Sequence, residues 1–157
     1  MLSENLVEEA ISLASYQIYA LFSDPRFVWG PKLVSITVDG PGLDAPVQQW
    51  VGSVDQEWNE NWGLKARFQE LSLWKANTSR RYGKPTVELA NLYPVLLMKG
   101  DYFYQGGIID RSGFIGIGTS GIKGFADEQI SHIVEAMIYA VAFASLEDVK
   151  AKGSSQL

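Results

Sequence analysis

Three segments of the chain repeat apolar residues at helical spacing. They run from Leu2 to Phe22, from Leu64 to Tyr82 and from Asp127 to about Val149. In each segment the apolar residues recur every three or four positions and so share one face, which predicts amphipathic α-helices. Pro25 and Gly83 follow the first two segments closely and predict where those helices end.

Four other segments carry the β-branched and aromatic residues that strands prefer. They are Lys32–Asp39, Val95–Met98, Tyr102–Asp110 and Phe114–Thr119. Short turn sequences separate the last three, so we predict that these form an antiparallel meander. Residues 44–63 show no clear strand or helix period.

The order of these elements predicts the fold class. A helix is followed by one or two strands, a second helix, three strands and a long last helix, with few alternating βαβ units. This order favours an α+β fold in which an antiparallel sheet lies between helices. The chain has 157 residues, no internal repeat and no evident linker, so residues 1–157 are predicted to form a single domain.

The amino-acid composition excludes several classes of protein function. The chain has no Cys and a single His, which excludes disulfide scaffolds, thiolate or multi-His zinc sites, iron–sulfur clusters and a Cys nucleophile. A net charge of −5 argues against nucleic-acid binding. No uninterrupted apolar run is long enough to cross a bilayer, and the acidic, amphipathic start is unlike a signal peptide. We therefore expect a cytoplasmic protein with no metal site and no membrane or nucleic-acid partner.

Lys75 is the residue that the apolar pattern explains least. By the helical period it lies in the middle of the stripe formed by Leu64, Phe68, Leu71 and Tyr82. Burying an unpaired ammonium group is costly, so Lys75 should end in a pocket, reach a carboxylate or extend past the edge of the core. In a pocket it could bind an anion or act as a base or amine nucleophile; the alternative is a structural salt bridge.

Two glycine-containing segments are candidate ligand contacts. Gly116–Gly121 reads GIGTSG, but no strand follows the last helix to complete a dinucleotide-binding unit. The interpretations that remain are a tight exit from a strand and a turn whose backbone N–H groups are open to an anion. Gly106 and Gly107 interrupt an aromatic strand, which predicts either a bulge or a ligand lying against the backbone.

The outer face of the last helix and two aspartates favour structural interpretations. His132 is predicted to point outward, beside Tyr139 and Phe143, and these aromatic residues hint at contact with another subunit. Asp110 and Asp127 could form a carboxylate pair, but each lies at a predicted turn, where Asp commonly caps or bends the chain.

Four segments also follow, in order, the motifs of a known family. KLVSITVDGPGL resembles VSIAVVDxxGxL, LWKANTSRRYGKPTVEL resembles KARTAxxFGRPTxxL, and FIGIGTSGIKGFADEQI resembles IGAIGVSGxxGxxDExI, with a GG-containing strand before the last. This series is similar to the GlcG/HbpS-like family, also called the haem-degrading domain or PduO C-terminal-like family, over about residues 5–145.

The resemblance implies a profilin-like fold, with a five-stranded antiparallel sheet flanked by helices, and homo-oligomers that are often octamers. It also implies haem or cobalamin-type ligands, or a role as an accessory protein or enzyme in a catabolic pathway. The positions that match the family motifs are Lys75, Thr78, Gly106, Gly107, Ser120, Gly121, Asp127 and Glu128.

One segment departs from the family pattern. Residues 44–63 carry Trp50, Trp58 and Trp62 where the family usually has a short R-x-D-x-A-type stretch. Because this segment borders the expected ligand site, the identity of the ligand does not carry over, and a larger aromatic wall favours a smaller or more apolar molecule. Haem is not favoured, because His132 is expected to point outward and the Met residues are poorly placed as axial ligands.

We therefore predict a small-molecule-binding protein or an enzyme of a catabolic pathway, with a pocket between the sheet and the central helix. Lys75 is the predicted catalytic residue, binding an anion together with backbone amides or taking part in acid–base chemistry. The predicted ligand-binding residues are Thr78, Gly106, Gly107, Ser120, Gly121, Trp58 and Trp62. The alternatives are a haem or tetrapyrrole binder and a non-catalytic, homo-oligomeric accessory subunit.

Overall fold

The computed structural model describes residues 2–55, 60 and 63–153. The helices in this part of the chain are α1 (Glu4–Phe22), α2 (Leu64–Tyr82), α3 (Thr86–Leu92) and α4 (Gly124–Ala151). The strands are β1 (Lys32–Asp39), β2 (Val47–Ser53), β3 (Gly107–Ile109) and β4 (Gly116–Ser120).

The ends of the first two helices follow from capping chemistry. The Ser3 hydroxyl accepts a hydrogen bond from the N–H of Leu6 at 3.2 Å and caps α1 at its first turn. Gly83 ends α2 in the left-handed conformation at φ 66°, and its N–H donates to the Ser79 carbonyl. The predicted helix boundaries in both segments are confirmed to within two residues.

The described strands form one sheet in the order β2-β1-β4-β3, and every neighbouring pair is antiparallel. At the centre of the sheet, Ser35 of β1 pairs with Trp50 of β2 on one side and with Ser120 of β4 on the other. A mixed fold with helices and an antiparallel sheet is therefore confirmed. The sheet has four strands within the described residues, so a fifth strand and the profilin-like arrangement stay predictions.

The two faces of the sheet differ in polarity. Val34, Ile36 and Val38 of β1 belong to the apolar core, which they share with α1 and α4. The alternate residues, Ser35 and Thr37, are buried on the opposite face beneath α2. Because successive side chains of a strand point to opposite faces, α2 packs on a surface of small and polar groups while the apolar core lies on the other side.

Glycines let α2 approach the sheet at backbone distance. A Cβ at Gly118 would lie 2.1 Å from the carbonyl oxygen of Ser72, and a Cβ at Gly116 would lie 2.4 Å from that of Ala76. No side chain fits in that space. This contact fixes the height of α2 above β4 and thereby the position of Lys75, which lies between Ser72 and Ala76 on the helix.

Two predicted strands are wrong in whole or in part. Pro94–Leu96 forms a single 3-10 turn where a strand was predicted at Val95–Met98. Val95 is 89% exposed, so the apolar residue that suggested a buried strand does not pack against the core. The strand predicted over Tyr102–Asp110 is reduced to β3, because Gly106 at φ +132° breaks the extended run.

The unassigned segment 44–63 contains β2. Its strand pattern is weak because Gln49 stands between Val47 and Val51, which face the core, and so interrupts the apolar alternation. β2 pairs only with β1 among the described strands and lies at the edge of the sheet, where one face is free to carry polar residues.

The last helix is long and apolar. α4 has 28 residues and a stretch with mean hydropathy 1.4, so length and composition alone would allow it to span a membrane. Ile130, Val134 and Ile138 are buried in the core shared with α1 and the sheet. A core helix passes the same test of length and composition, so this feature is a weak indication of a membrane span.

Candidate functional site

A cavity of about 760 Å³ opens where α2 passes the end of β4. Its walls come from α2, from the turn between β4 and α4, and from two loops around residues 29–31 and 102–105. The described residues that line it are Trp29, Pro31, Leu64, Arg67, Phe68, Leu71, Lys75, Tyr102, Tyr104, Gln105, Ser120, Gly121, Ile122, Gly124 and Asp127. A cavity of this size and largely apolar lining is typical of sites for small organic molecules.

A buried ion pair forms one part of the lining. Lys75 Nζ lies 3.4 Å from Asp127 Oδ2 and donates a hydrogen bond to the Thr119 carbonyl oxygen at 2.8 Å. The side chains of Lys75 and Asp127 are each only 4% exposed. Lys75 thus reaches both a pocket and a carboxylate, two of the outcomes predicted for a cation on an apolar stripe.

Asp127 is held in place by the turn that precedes α4. Its Oδ1 accepts a hydrogen bond from the N–H of Ile122 at 3.1 Å, and the backbone of Gly121 adds a small effect that lowers the pKa of the carboxylate. The Ile122 N–H therefore serves Asp127, and within GIGTSG the N–H of Thr119 donates to the Gly106 carbonyl oxygen at 3.1 Å. Anion binding by the other N–H groups of this segment stays a prediction.

Burial dominates the acid–base properties of the pair. It raises the pKa of Asp127 to about 7, against the opposing effects of the Lys75 charge and the Ile122 N–H. Burial also lowers the pKa of Lys75 from its ordinary value, and the neighbouring Asp127 carboxylate opposes that shift. Asp127 can therefore gain or lose a proton near neutral pH, where an unperturbed Asp stays ionised.

Polar groups of the lining remain available to a ligand. An ammonium group has three donors, and Lys75 uses two of them on Thr119 and Asp127. The Ser120 side chain is buried and lines the cavity, and its hydroxyl makes no hydrogen bond within the described chain. Lys75 and Ser120 thus offer hydrogen bonds at what we call the floor of the cavity.

The opposite wall is aromatic. The rings of Tyr102 and Tyr104 lie 5.2 Å apart between centroids, and Tyr102 also contacts Trp74 at 6.0 Å. Lys75 Nζ lies 5.9 Å from the centroid of the Tyr102 ring, within the range of a cation–π contact. Phe68 adds a ring from α2. Aromatic rings from α2 and from the loop around residues 102–105 therefore both line the cavity.

Several predicted ligand-binding residues lie beside the cavity without lining it. Thr78 is buried, and its hydroxyl accepts a hydrogen bond from the N–H of Tyr102 at 3.0 Å. A Cβ at Gly106 would lie 2.8 Å from Lys75 Nζ, and a Cβ at Gly107 would lie 2.6 Å from the Lys75 carbonyl oxygen. These glycines leave room for α2 and for the Lys75 side chain, whereas Ser120 and Gly121 line the cavity directly.

Some sequence-based expectations concern other parts of the chain. Trp58 and Trp62 lie outside the described residues. His132 is exposed on α4, as predicted. Asp110 accepts hydrogen bonds from the N–H groups of Phe114 and Ile115, so its assignment to a turn is confirmed. Across residues 2–55, 60 and 63–153, no three His, Asp or Glu side chains are placed to hold a metal ion.

Sequence reasoning missed two features of the site. The partner of Lys75 was not identified, although a buried cation requires a carboxylate and Asp127 stands at the start of an apolar helix. Trp29 and Arg67 line the cavity but lie outside the family motifs. Arg67 borders the apolar stripe of α2, and that position was the signal available for finding it.

Comparison with known proteins gives relatives in structure. No family model matches the chain, and no curated protein matches it in sequence. A crystal structure of HbpS superposes with a TM-score of 0.57 at 22% identity, over 86% of this chain and 88% of HbpS. Klebsiella pneumoniae protein ORFY gives a TM-score of 0.62 at 14% identity, over 88% of this chain and 91% of ORFY.

A third similar structure is a complex of PduOC with haem, with a TM-score of 0.58 at 17% identity, over 87% of this chain and 94% of PduOC. At these identities the likeness concerns the fold, and the ligand of a relative does not transfer with it. The predicted resemblance to GlcG/HbpS-like proteins is thereby confirmed as a likeness of fold over most of the chain.

Proposed function

We propose that this protein binds a small organic molecule in the cavity beside α2, and that Lys75 and Asp127 transfer a proton to or from it. The observation that carries the proposal is the buried Lys75–Asp127 pair, 3.4 Å apart, in the lining of a cavity of about 760 Å³. Desolvating two charges is expensive, and a pair of well-packed apolar residues is often at least as stable. A ligand that uses the pair explains why the site keeps it.

The proposed roles follow from the contacts of each group. The third N–H of Lys75 holds an oxygen atom of the ligand, and the hydroxyl of Ser120 makes a second hydrogen bond. Asp127, with a pKa of about 7, accepts or returns the proton. Both groups are already oriented, Lys75 by the Thr119 carbonyl and Asp127 by the N–H of Ile122, so binding does not have to reorganise them.

The other predicted site residues take supporting roles in this proposal. Thr78 fixes the backbone of Tyr102 and so places the aromatic wall. Gly106 and Gly107 give Lys75 and α2 the space that any larger side chain would fill. Direct ligand contact by Trp58 and Trp62 stays a prediction.

The test is a pair of lysine variants. Native mass spectrometry of the purified protein identifies any co-purified ligand. If no ligand co-purifies, a thermal-shift screen of small organic acids and carbonyl compounds identifies a molecule that binds. Lys75→Met should abolish binding of that molecule with far-UV circular dichroism unchanged. Lys84→Met, which removes a partly exposed lysine paired with Glu88, is the matched control and should bind normally.

Two results would contradict the proposal. One is a Lys75→Met protein that binds the ligand as tightly as the wild type. The other is a variant that only melts at a lower temperature, in which case the lysine is structural. Asp127→Asn keeps a similar shape and should retain binding while losing any catalysed proton exchange, which hydrogen–deuterium exchange into the ligand measures by NMR.

Haem is the second candidate, because PduOC, which shares the fold, was solved as a haem complex. The described residues of the cavity do not fit that group well. They include no His, Cys or Met, and the Lys75 amine is already engaged by Thr119 and Asp127. The lining has two phenols, and that of Tyr102 has a pKa raised by burial, which disfavours the phenolate that iron prefers. Titration with hemin should therefore give no shift of the Soret band, and a saturable shift would favour haem.

A further inference from the structure

The cavity has a second polar end, at its rim. Arg67 lines it there and is exposed to solvent, and it forms no salt bridge with any described residue. Burial raises the pKa of Tyr102, and the positive charge of Arg67 opposes that rise, so the guanidinium acts electrostatically on the aromatic wall. Among the described residues, the guanidinium at the rim therefore has no carboxylate partner.

The separation of the two ends follows from helix geometry. Arg67 and Lys75 are eight residues apart on α2, which corresponds to about 12 Å along the helix axis. Between them, Phe68 and Leu71 face the cavity and give it an apolar middle. A ligand that contacts both ends must therefore be elongated, with polar groups at its two ends and an apolar body.

The charges of the described lining favour a ligand with a single negative charge. When Asp127 is ionised, it neutralises Lys75, and Arg67 then leaves one net positive charge in the described lining of a protein whose total net charge is −5. The nearby backbone N–H of Ile122 is taken by Asp127, and that of Thr119 donates to the Gly106 carbonyl, so neither is available to a phosphate. A single carboxylate, which matches the planar fork of a guanidinium, is the anion that fits.

We propose that the ligand is a flat aromatic acid that places its carboxylate on Arg67 and a hydroxyl or carbonyl oxygen on Lys75 and Ser120. The ring system would lie against Phe68 and Tyr102, where offset stacking adds to the burial of apolar surface. This inference rests on the proposed function and adds the class of molecule and the role of Arg67 as a specificity residue.

Three probes separate the contributions of the two ends. 6-Hydroxy-2-naphthoate carries both oxygen functions, 2-naphthoate lacks the hydroxyl group, and 2-naphthol lacks the carboxylate. Isothermal titration calorimetry at neutral pH should show the first binding most tightly, with a loss of about tenfold for each missing group. Arg67→Gln should weaken the two carboxylates about tenfold and leave 2-naphthol unchanged.

Two further variants complete the design. Ser120→Ala should reduce the advantage of 6-hydroxy-2-naphthoate over 2-naphthoate, since Lys75 still donates to the ligand oxygen, and should leave the affinity for 2-naphthoate itself unchanged. Lys152→Gln removes one positive charge at the far end of α4, outside the cavity, and should change none of the three affinities. It controls for the loss of a charge in general.

The outcomes distinguish this inference from the proposed function. If Arg67→Gln leaves carboxylate binding unchanged, or if 2-naphthol binds as well as the acids, the aromatic-acid assignment is wrong. Failure of all three probes to bind at millimolar concentration also overturns it. In each of these cases the proposed function stands as long as Lys75→Met abolishes binding of the ligand found by mass spectrometry or by the thermal-shift screen, and it fails separately if that variant binds normally.

Discussion

Replacing Lys75 with Met should destabilise the protein by an amount that grows with pH. The Met side chain has a similar length but carries no charge and cannot donate to the Thr119 carbonyl, which Lys75 contacts at 2.8 Å. Asp127, 4% exposed, would then lie buried without a cation. Because the Lys75 charge lowers the pKa of Asp127, removing it should raise that pKa above its present value of about 7.

The magnitude follows from proton linkage. Unfolded Asp127 ionises near 3.8, so between that pH and 7 both folded proteins hold a proton that the unfolded chain releases, and both lose stability as pH rises. Their difference stays constant there, at about 1–3 kcal/mol for the unpaired carbonyl of Thr119. Above pH 7 only the variant still holds the proton, so the difference should widen by about 1.4 kcal/mol per pH unit until the variant's own pKa is reached.

The titration of Lys75 itself also makes the stability difference between the wild type and Lys75→Met grow with pH. Burial lowers its pKa in the folded wild type, so above that pKa the unfolded chain binds a proton that the folded chain does not. Wild-type stability then rises with pH, an effect absent from the Met variant. The two linkages therefore add, and the destabilisation should be greatest at alkaline pH.

Urea unfolding followed by circular dichroism, from about pH 5 to about pH 9, measures the effect as the difference in free energy of unfolding. The control is the double variant Lys75→Met with Asp127→Asn, which has no titrating group at this position, so its stability should not fall with pH as that of Lys75→Met does. Parallel stability curves for the wild type and Lys75→Met across the whole range would refute the coupling between the two residues, and so would a difference that shrinks as pH rises.

Three further predictions concern packing, the β3–β4 turn and assembly. Gly118→Ala should cost about 1–3 kcal/mol in thermal unfolding, because its Cβ would lie 2.1 Å from the carbonyl oxygen of Ser72. Gly124→Ala, whose Cβ comes no closer than 3.3 Å to another residue, is the matched control and should be nearly neutral or stabilising. Asp110→Ala should cost about 1–3 kcal/mol in urea unfolding, since it removes a carboxylate that accepts two backbone N–H groups of the turn, and an unchanged midpoint would contradict this role. Light scattering should report a mass above the 17.4 kDa of one chain, because residues 92–104 expose large apolar side chains, and a monomer at every concentration would contradict the predicted homo-oligomer.

The helices of this protein could be read from the sequence because their apolar stripes are local patterns. α2 begins and ends where its periodicity and Gly83 predicted, at Leu64 and Tyr82. The strands were harder. In β2, Gln49 interrupts the apolar alternation between Val47 and Val51, and the predicted strand at Val95–Met98 has apolar residues that stay exposed. Composition does not distinguish apolar residues that face a core from those that face solvent or a partner.

The candidate site also has features that the sequence predicts and features that depend on tertiary contacts. The helical period alone marked Lys75 as a buried cation, and the absence of Cys together with the single His excluded thiol and multi-His chemistry. Neither pattern identifies Asp127, which is 52 residues away along the chain and meets Lys75 only because α2 and α4 pack on opposite faces of one sheet and meet at the end of β4.

The glycines show the same dependence on packing. GIGTSG has the pattern of a ligand-binding turn, but Gly116 and Gly118 are required by the close approach of α2, and the N–H of Ile122, just after the segment, serves Asp127. The chemistry of a side chain and the hydrophobic periodicity around it can be obtained from the local sequence. Its partners, its burial and the shape of the cavity depend on contacts between distant segments, and only the folded arrangement decides those.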